Sequence, residues 1–111
     1  MNIQILQLLE GAGEATGLTA IIYVYRAFST ACYAFGKGAA RIIPVDNIEQ
    51  AYQIKKQFPE YFLIGERNEM KPHGFDFGNS PTQILDTDFR GKTLIHTTSS
   101  GTKGINAAVN A

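Results

Sequence analysis

An acid and a base stand directly behind a short apolar run in this chain: Tyr61-Phe62-Leu63-Ile64 leads through Gly65 into Glu66-Arg67-Asn68. A carboxylate there can hold a metal ion or position a water, or simply pair with Arg67. A guanidinium offers a bidentate grip on phosphate or sulfonate. A polar loop follows, Gly74-Phe75-Asp76-Phe77-Gly78-Asn79-Ser80-Pro81, with further prolines and glycines around it. Asp76 is a second candidate carboxylate, although Asp in loops commonly caps its own turn. Asn79 and Ser80 either line a pocket or shape the turn before Pro81. A third polar stretch, Thr97-Thr98-Ser99-Ser100-Gly101-Thr102, lies near the end. Hydroxyls and backbone N–H groups between a strand and a helix start suit an anion. An ordinary Ser/Thr-capped turn accounts for the same residues, and Walker A spacing is absent.

These residues need a scaffold. Thr19–Tyr25 (TAIIYVY) reads as a strand ending at Arg26, a further candidate for phosphate or sulfonate. Ala27–Phe35 reads as a helix closed by Gly36 and Gly38, and Arg41–Val45 as a short strand. Asp46-Asn47-Ile48-Glu49 matches a capping box opening a helix that stops before Pro59. Tyr61–Ile64 and Lys92–Thr97 read as strands, and Gly101 onward as a helix start. Asn2–Leu9 fits a strand or a short helix, and Glu10–Gly17 a connector.

Strands alternating with helices predict one three-layer α/β domain over residues 1–111, a mainly parallel sheet flanked by helices. In such a sheet the strand exits share one edge, where ligands bind. Arg26, Glu66, Arg67 and the Thr97–Thr102 stretch are then expected to converge, with Thr98, Ser99, Gly101 and Thr102 supplying donors. His96, inside a strand, reads as a satisfied core histidine, and His73 as an exposed loop residue.

Lys+Arg and Asp+Glu are 10 each, so the net charge is zero, without the basic footprint of a nucleic-acid binder. The single cysteine, Cys32, excludes an intrachain disulfide and a cysteine-based zinc site. No apolar stretch is long enough to span a bilayer, and Met1–Leu9 lacks the basic start of a signal peptide. A soluble cytoplasmic protein, without nucleic-acid or membrane partners, is expected. A short α/β chain also leaves strand edges or apolar surface for a second copy, so a homo-oligomer is expected.

The blocks Ile21–Thr30, Gly65-Glu66-Arg67, Gly74–Pro81, Gly91-Lys92-Thr93 and Thr97–Thr102 together resemble the 2-phosphosulfolactate phosphatase family in content, order and spacing. The resemblance covers the chain from Leu18 onward and corresponds to the amino-terminal half of the family, an incomplete version of its fold. It implies Mg2+-dependent hydrolysis of a phosphate monoester to sulfolactate and phosphate, on a route to coenzyme M. The substrate would be a small phosphorylated or sulfonated acid. Glu66, Asp76 and Arg67 would be catalytic, with Glu66 and Asp76 holding the metal. Arg26, Asn79, Ser80, Thr98, Ser99, Gly101 and Thr102 would bind substrate. Tyr23 stands where the family pattern has Asp, and Ser99-Ser100-Gly101 where it has Thr-Asn-Gly. A phenol is a poor magnesium ligand near neutral pH, so weakened hydrolysis with retained anion binding is expected. A non-catalytic anion-binding or assembly module on the same fold is the alternative.

Overall fold

The computed structural model describes residues 1–111. In chain order it contains α1 (Leu8–Glu14), α2 (Ala27–Gly36), β1 (Arg41–Pro44), α3 (Ile48–Gln57), β2 (Phe62–Gly65), a 3-10 turn (Pro81–Gln83), β3 (Thr93–Thr97) and α4 (Gly101–Ala107). The three strands form one sheet in the order β1-β3-β2, parallel throughout.

The last strand in sequence is the central one, and all five residues of β3 are buried. That is why Thr93–Thr97 reads as an unbroken run without alternation. Each face of the sheet packs its own core. Ile64 and Leu94 meet Ala34 of α2 together with Ala39, Ile84 and Phe89. Leu63 and Ile95 meet Ala51 of α3 together with Val45 and Phe75. The sheet is therefore the middle of three layers, as the alternating pattern predicts. No helix is long and apolar enough to cross a membrane.

Helix α3 starts one residue later than its capping box implies. Asn47, not Asp46, is the N-cap, and its Oδ1 accepts the Gln50 N–H at 2.7 Å. Asp46 uses its backbone elsewhere: its carbonyl accepts from Arg67 at 3.2 Å. With the Asn106 amide oriented by its neighbours, that side chain accepts from the Asp46 N–H at 3.0 Å and donates to the Pro44 carbonyl at 3.2 Å. Asn47→Ala is expected to cost about 1 kcal/mol, read as a lower urea midpoint, whereas Asp46→Ala leaves the cap intact.

Three readings of the first 25 residues fail. Asn2–Leu9 is neither strand nor complete helix. Residues 1–7 have no regular structure, and α1 starts only at Leu8 and runs to Glu14, into the Gly/Ala-rich stretch Glu10–Gly17 that reads as a connector. Intrinsic propensity there is poor because of Gly11 and Gly13. Tertiary contact overrides it, since α1 packs against α4. Thr19–Tyr25 is not a strand either. Its period-2 pattern does correspond to burial: Thr19, Ile21 and Tyr23 are half-buried, while Ala20, Ile22 and Val24 are exposed. It lacks a partner, because the sheet is confined to β1, β3 and β2. β-Branched residues record a fit to a surface, which does not create a ladder on its own.

The outer edge of β2 is covered by the chain itself. Leu63 accepts from the N–H groups of Asp76 and Phe77 at 3.0 and 3.1 Å, and Gly65 donates to the Phe77 carbonyl at 3.2 Å. The long loop is thereby fixed beside the sheet.

Candidate functional site

The register between β2 and β3 decides which exits meet. Gly65 pairs with Thr97, so Glu66 and the Thr98-Ser99 segment leave the sheet side by side. Arg26 arrives from a different direction, at the N-cap of α2. The start of α2 is drawn in by a contact between small residues: a Cβ added at Gly101 would lie 2.6 Å from the Ala27 Cβ. Gly101 therefore serves close packing of α2 on α4.

At this carboxyl end of the sheet lies a cleft of about 550 Å3, lined by Tyr23, Tyr25, Arg26, Glu66, Asn68, Glu69, Asn79 and Ser99. An open groove of about 620 Å3 lies elsewhere, between the end of α2 and residues 85–90. It contains none of the strand-exit residues, and its Arg90 is tied to Asp88 at 2.7 Å on the surface.

The structure thus places Arg26, Glu66, Asn79 and Ser99 on one cleft. The chain's two ion pairs are Lys55–Asp76 and Arg90–Asp88. Arg26 is exposed and takes part in neither. Asn79 is buried, and its Oδ1 lies 3.1 Å from the His96 Nε2. With Oδ1 accepting, the ring is the Nε2-protonated tautomer, and the Asn79 amide nitrogen is not engaged by His96. His96 is a satisfied core histidine, as read from the sequence. Burial drives its pKa down to about 4, against an opposing pull from the Glu66 charge.

Other candidates do different work. Arg67 directs its guanidinium at neutral oxygens: Nη1 donates to the Glu66 carbonyl at 2.8 Å, and Nη2 to the Thr97 hydroxyl at 2.7 Å and the Asp46 carbonyl at 3.2 Å. It staples the exits of β1, β2 and β3 and does not line the cleft. Thr98 and Thr102 close on each other. The Thr98 N–H donates to the Thr102 Oγ1 at 3.1 Å, and the Thr102 N–H to the Thr98 Oγ1 at 3.2 Å. Both are fully buried, so these donors are spent on the turn, in the manner of a side-chain cap. Ser80 shares a 3.0 Å hydrogen bond with the Thr82 hydroxyl at the start of the 3-10 turn and is not among the cleft residues.

Asp76 also lies apart. Its Oδ2 accepts the Leu63 N–H at 2.7 Å and faces Lys55 at 3.7 Å. The expectation that Glu66 and Asp76 hold one magnesium does not fit this geometry. Asp76 is held by Leu63 and Lys55 while both Glu66 oxygens accept from Ser99 and Glu69, so the two carboxylates have separate partners and do not face a common point. No three His, Cys, Asp or Glu side chains gather elsewhere as a metal site.

Four cleft residues were not among the candidates from sequence: Tyr23, Tyr25, Asn68 and Glu69. The last two form a tight turn closed by reciprocal Arg67–Met70 backbone bonds of 3.0 Å, with φ of 51° at Asn68 and 65° at Glu69. Positive φ at both central residues is the type I′ pattern, for which Asn-Gly is the usual sequence. Asn68 is the available signal, and Glu in the second place conceals the turn. Tyr23, which stands where the family pattern has Asp, lies 5.8 Å from the Phe28 ring between centroids and also forms part of the cleft wall.

Residues 3–111 match the family model described as 2-phosphosulpholactate phosphatase. This chain belongs to that family. It is 45% identical over 85 residues to a probable 2-phosphosulfolactate phosphatase of Thermotoga petrophila, covering 77% of this chain and 37% of the relative. Similar proteins bearing the same description occur in Caldanaerobacter subterraneus (38% identity, 82% and 39% covered) and Bacillus subtilis (37% identity, 82% and 40% covered). The matched part of the chain spans about two-fifths of the length of these curated relatives.

Proposed function

We propose that this cleft binds the anionic head of a small phosphorylated or sulfonated acid, and that the chain serves hydrolysis of a phosphate monoester, as its relatives' descriptions imply for 2-phosphosulfolactate. The observation that carries this reading is Arg26, a cleft cation without a carboxylate partner. Its guanidinium gives two parallel donors to phosphate or sulfonate oxygens. The Asn79 amide nitrogen is a further donor, held in place by the bond from His96 to Oδ1. Glu69 is the cleft carboxylate whose oxygens accept no hydrogen bond from the chain, so it is the one suited to take a proton from an attacking water. Magnesium belongs to the proposal through the family resemblance. The present residues do not assemble a ligand set for it.

Arg26→Ala is expected to weaken binding of inorganic phosphate or sulfate at least tenfold, on the order of 1.5–3 kcal/mol for a lost charge-assisted contact. Isothermal titration measures this directly, with turnover of a phosphate monoester as the companion assay. Unchanged affinity in a folded Arg26→Ala protein would overturn the reading. Weak wild-type turnover that rises in Tyr23→Asp would support the part assigned to Tyr23. Strong wild-type turnover with no gain in the variant would refute it.

A further inference from the structure

Glu66 lines the cleft, yet its oxygens already accept from the chain itself. Oε1 accepts the Ser99 N–H at 2.6 Å, and Oε2 accepts the Ser99 hydroxyl at 3.0 Å and the Glu69 N–H at 3.0 Å. The Asn68 N–H reaches the same Ser99 hydroxyl at 3.4 Å. Two segments 33 residues apart thus converge on one carboxylate. Arg67 is not its ion-pair partner, because that guanidinium is turned toward neutral oxygens.

We propose that Glu66 is a positioning residue: its carboxylate is a built-in anion that fastens the exit of β3 to the turn after β2, and so places Ser99, Asn68 and Glu69 on the cleft wall. The segment behind Ser99 is stiffened by the reciprocal Thr98–Thr102 bonds. A hold on Ser99 is therefore also a hold on the start of α4. On the other side, the Glu69 N–H is tied while its own carboxylate is left to the cleft. The anion expected at the Thr97–Thr102 loop is in place, and the protein supplies it. The clamp holds the cleft wall whether or not the protein turns over a substrate.

The clamp depends on charge. Burial raises the Glu66 pKa, but hydrogen bonds from the Ser99 N–H, the Glu69 N–H and the Ser99 hydroxyl, with the nearby Arg67 charge, outweigh it and leave the carboxyl below its ordinary value. The other titratable side chains on the cleft are Tyr23, Tyr25, Arg26 and Glu69, and His96 on β3 feels the Glu66 charge.

The test is 15N–1H NMR of the full chain. The Ser99 and Glu69 amide protons are expected downfield, since both donate to the one Glu66 carboxylate. Glu66→Ala should lose both downfield shifts, and sodium formate should restore them by filling the vacated donor set, where sodium chloride does not. Magnesium chloride should leave both amides of the wild type in place. The proposal is overturned if the two amides are unaltered in a folded Glu66→Ala protein. It is also overturned if formate restores neither, or if magnesium releases them in the wild type by recruiting the carboxylate. Should Glu66→Ala not fold, Glu66→Gln decides: a reduced downfield shift of both amides supports the clamp, and two unaltered amides refute it.

Discussion

Gly65→Ala is expected to unfold the chain or cost it on the order of 4 kcal/mol, the range reserved for backbone strain combined with a buried clash. Gly65 has φ of 151°, a conformation that L side chains rarely adopt, and it is the last residue of β2. It sits in register with Thr97 of the central strand. A Cβ there would overlap the Thr97 carbonyl oxygen, which accepts the Glu66 N–H at 3.1 Å. That oxygen belongs to the backbone of a strand buried on both faces, so it cannot swing aside as a side-chain tip would. Relief would require β2 and β3 to part at the point where Glu66 and Ser99 meet. Urea unfolding measures the loss. A midpoint equal to that of the wild type would show that the exit of β2 is not held as described.

His96 should make the chain sensitive to mild acid. The ring is neutral and buried in the folded protein, with a pKa of about 4 against an ordinary 6.5, because burial opposes its charging. An unfolded chain takes up a proton near pH 6.5, which the folded chain refuses until about pH 4. Stability is therefore complete above 6.5 and falls as pH drops across that window. Below it both states are protonated and the slope vanishes. The whole shift corresponds to roughly 3 kcal/mol, at about 1.4 kcal/mol per pH unit. His96→Gln keeps a donor for Asn79 and removes the titration, so its stability should lack this slope. Urea midpoints measured through the window compare the two proteins. A wild type with no slope there would mean that the ring is hydrated or paired differently. Glu66 extends the acid loss to lower pH, since its folded pKa is depressed.

Periodicity and punctuation were enough to read the central parts of this chain from sequence. The apolar runs at Arg41, Tyr61 and Lys92, the helix ending at Gly36 and the helix stopped before Pro59 are short-range signals. They depend on side-chain alternation, missing N–H groups and glycine flexibility, and they yielded a parallel three-layer arrangement. The same logic expects Arg26, Glu66, Arg67 and the Thr97–Thr102 stretch at one edge; Glu66 and Ser99 do meet there because parallel β2 and β3 end together, whereas Arg26 reaches the cleft from the start of α2. It failed where a neighbour decides. Thr19–Tyr25 has the composition of a strand and no strand beside it. Gly11–Gly13 has the composition of a loop and is helical because α4 lies against it. Asp46 and Asn47 are equally good caps by type, and the Arg67 and Asn106 contacts to the Asp46 backbone are invisible in sequence.

The division is sharpest at the site. Sequence alone determined which polar groups the strand exits carry, since residue type and proximity to a strand end are local properties. Only the tertiary structure decided what each group faces. Arg67 spends its donors on neutral oxygens, Thr98 and Thr102 satisfy one another, and Asp76 is held by Leu63 and Lys55. Glu66 receives the donors that had been assigned to a ligand, and Arg26 keeps its charge for the cleft. A polar group that leaves water must be satisfied by whatever partner the fold brings within about 3 Å, and that partner here is as much as 33 residues away in the chain.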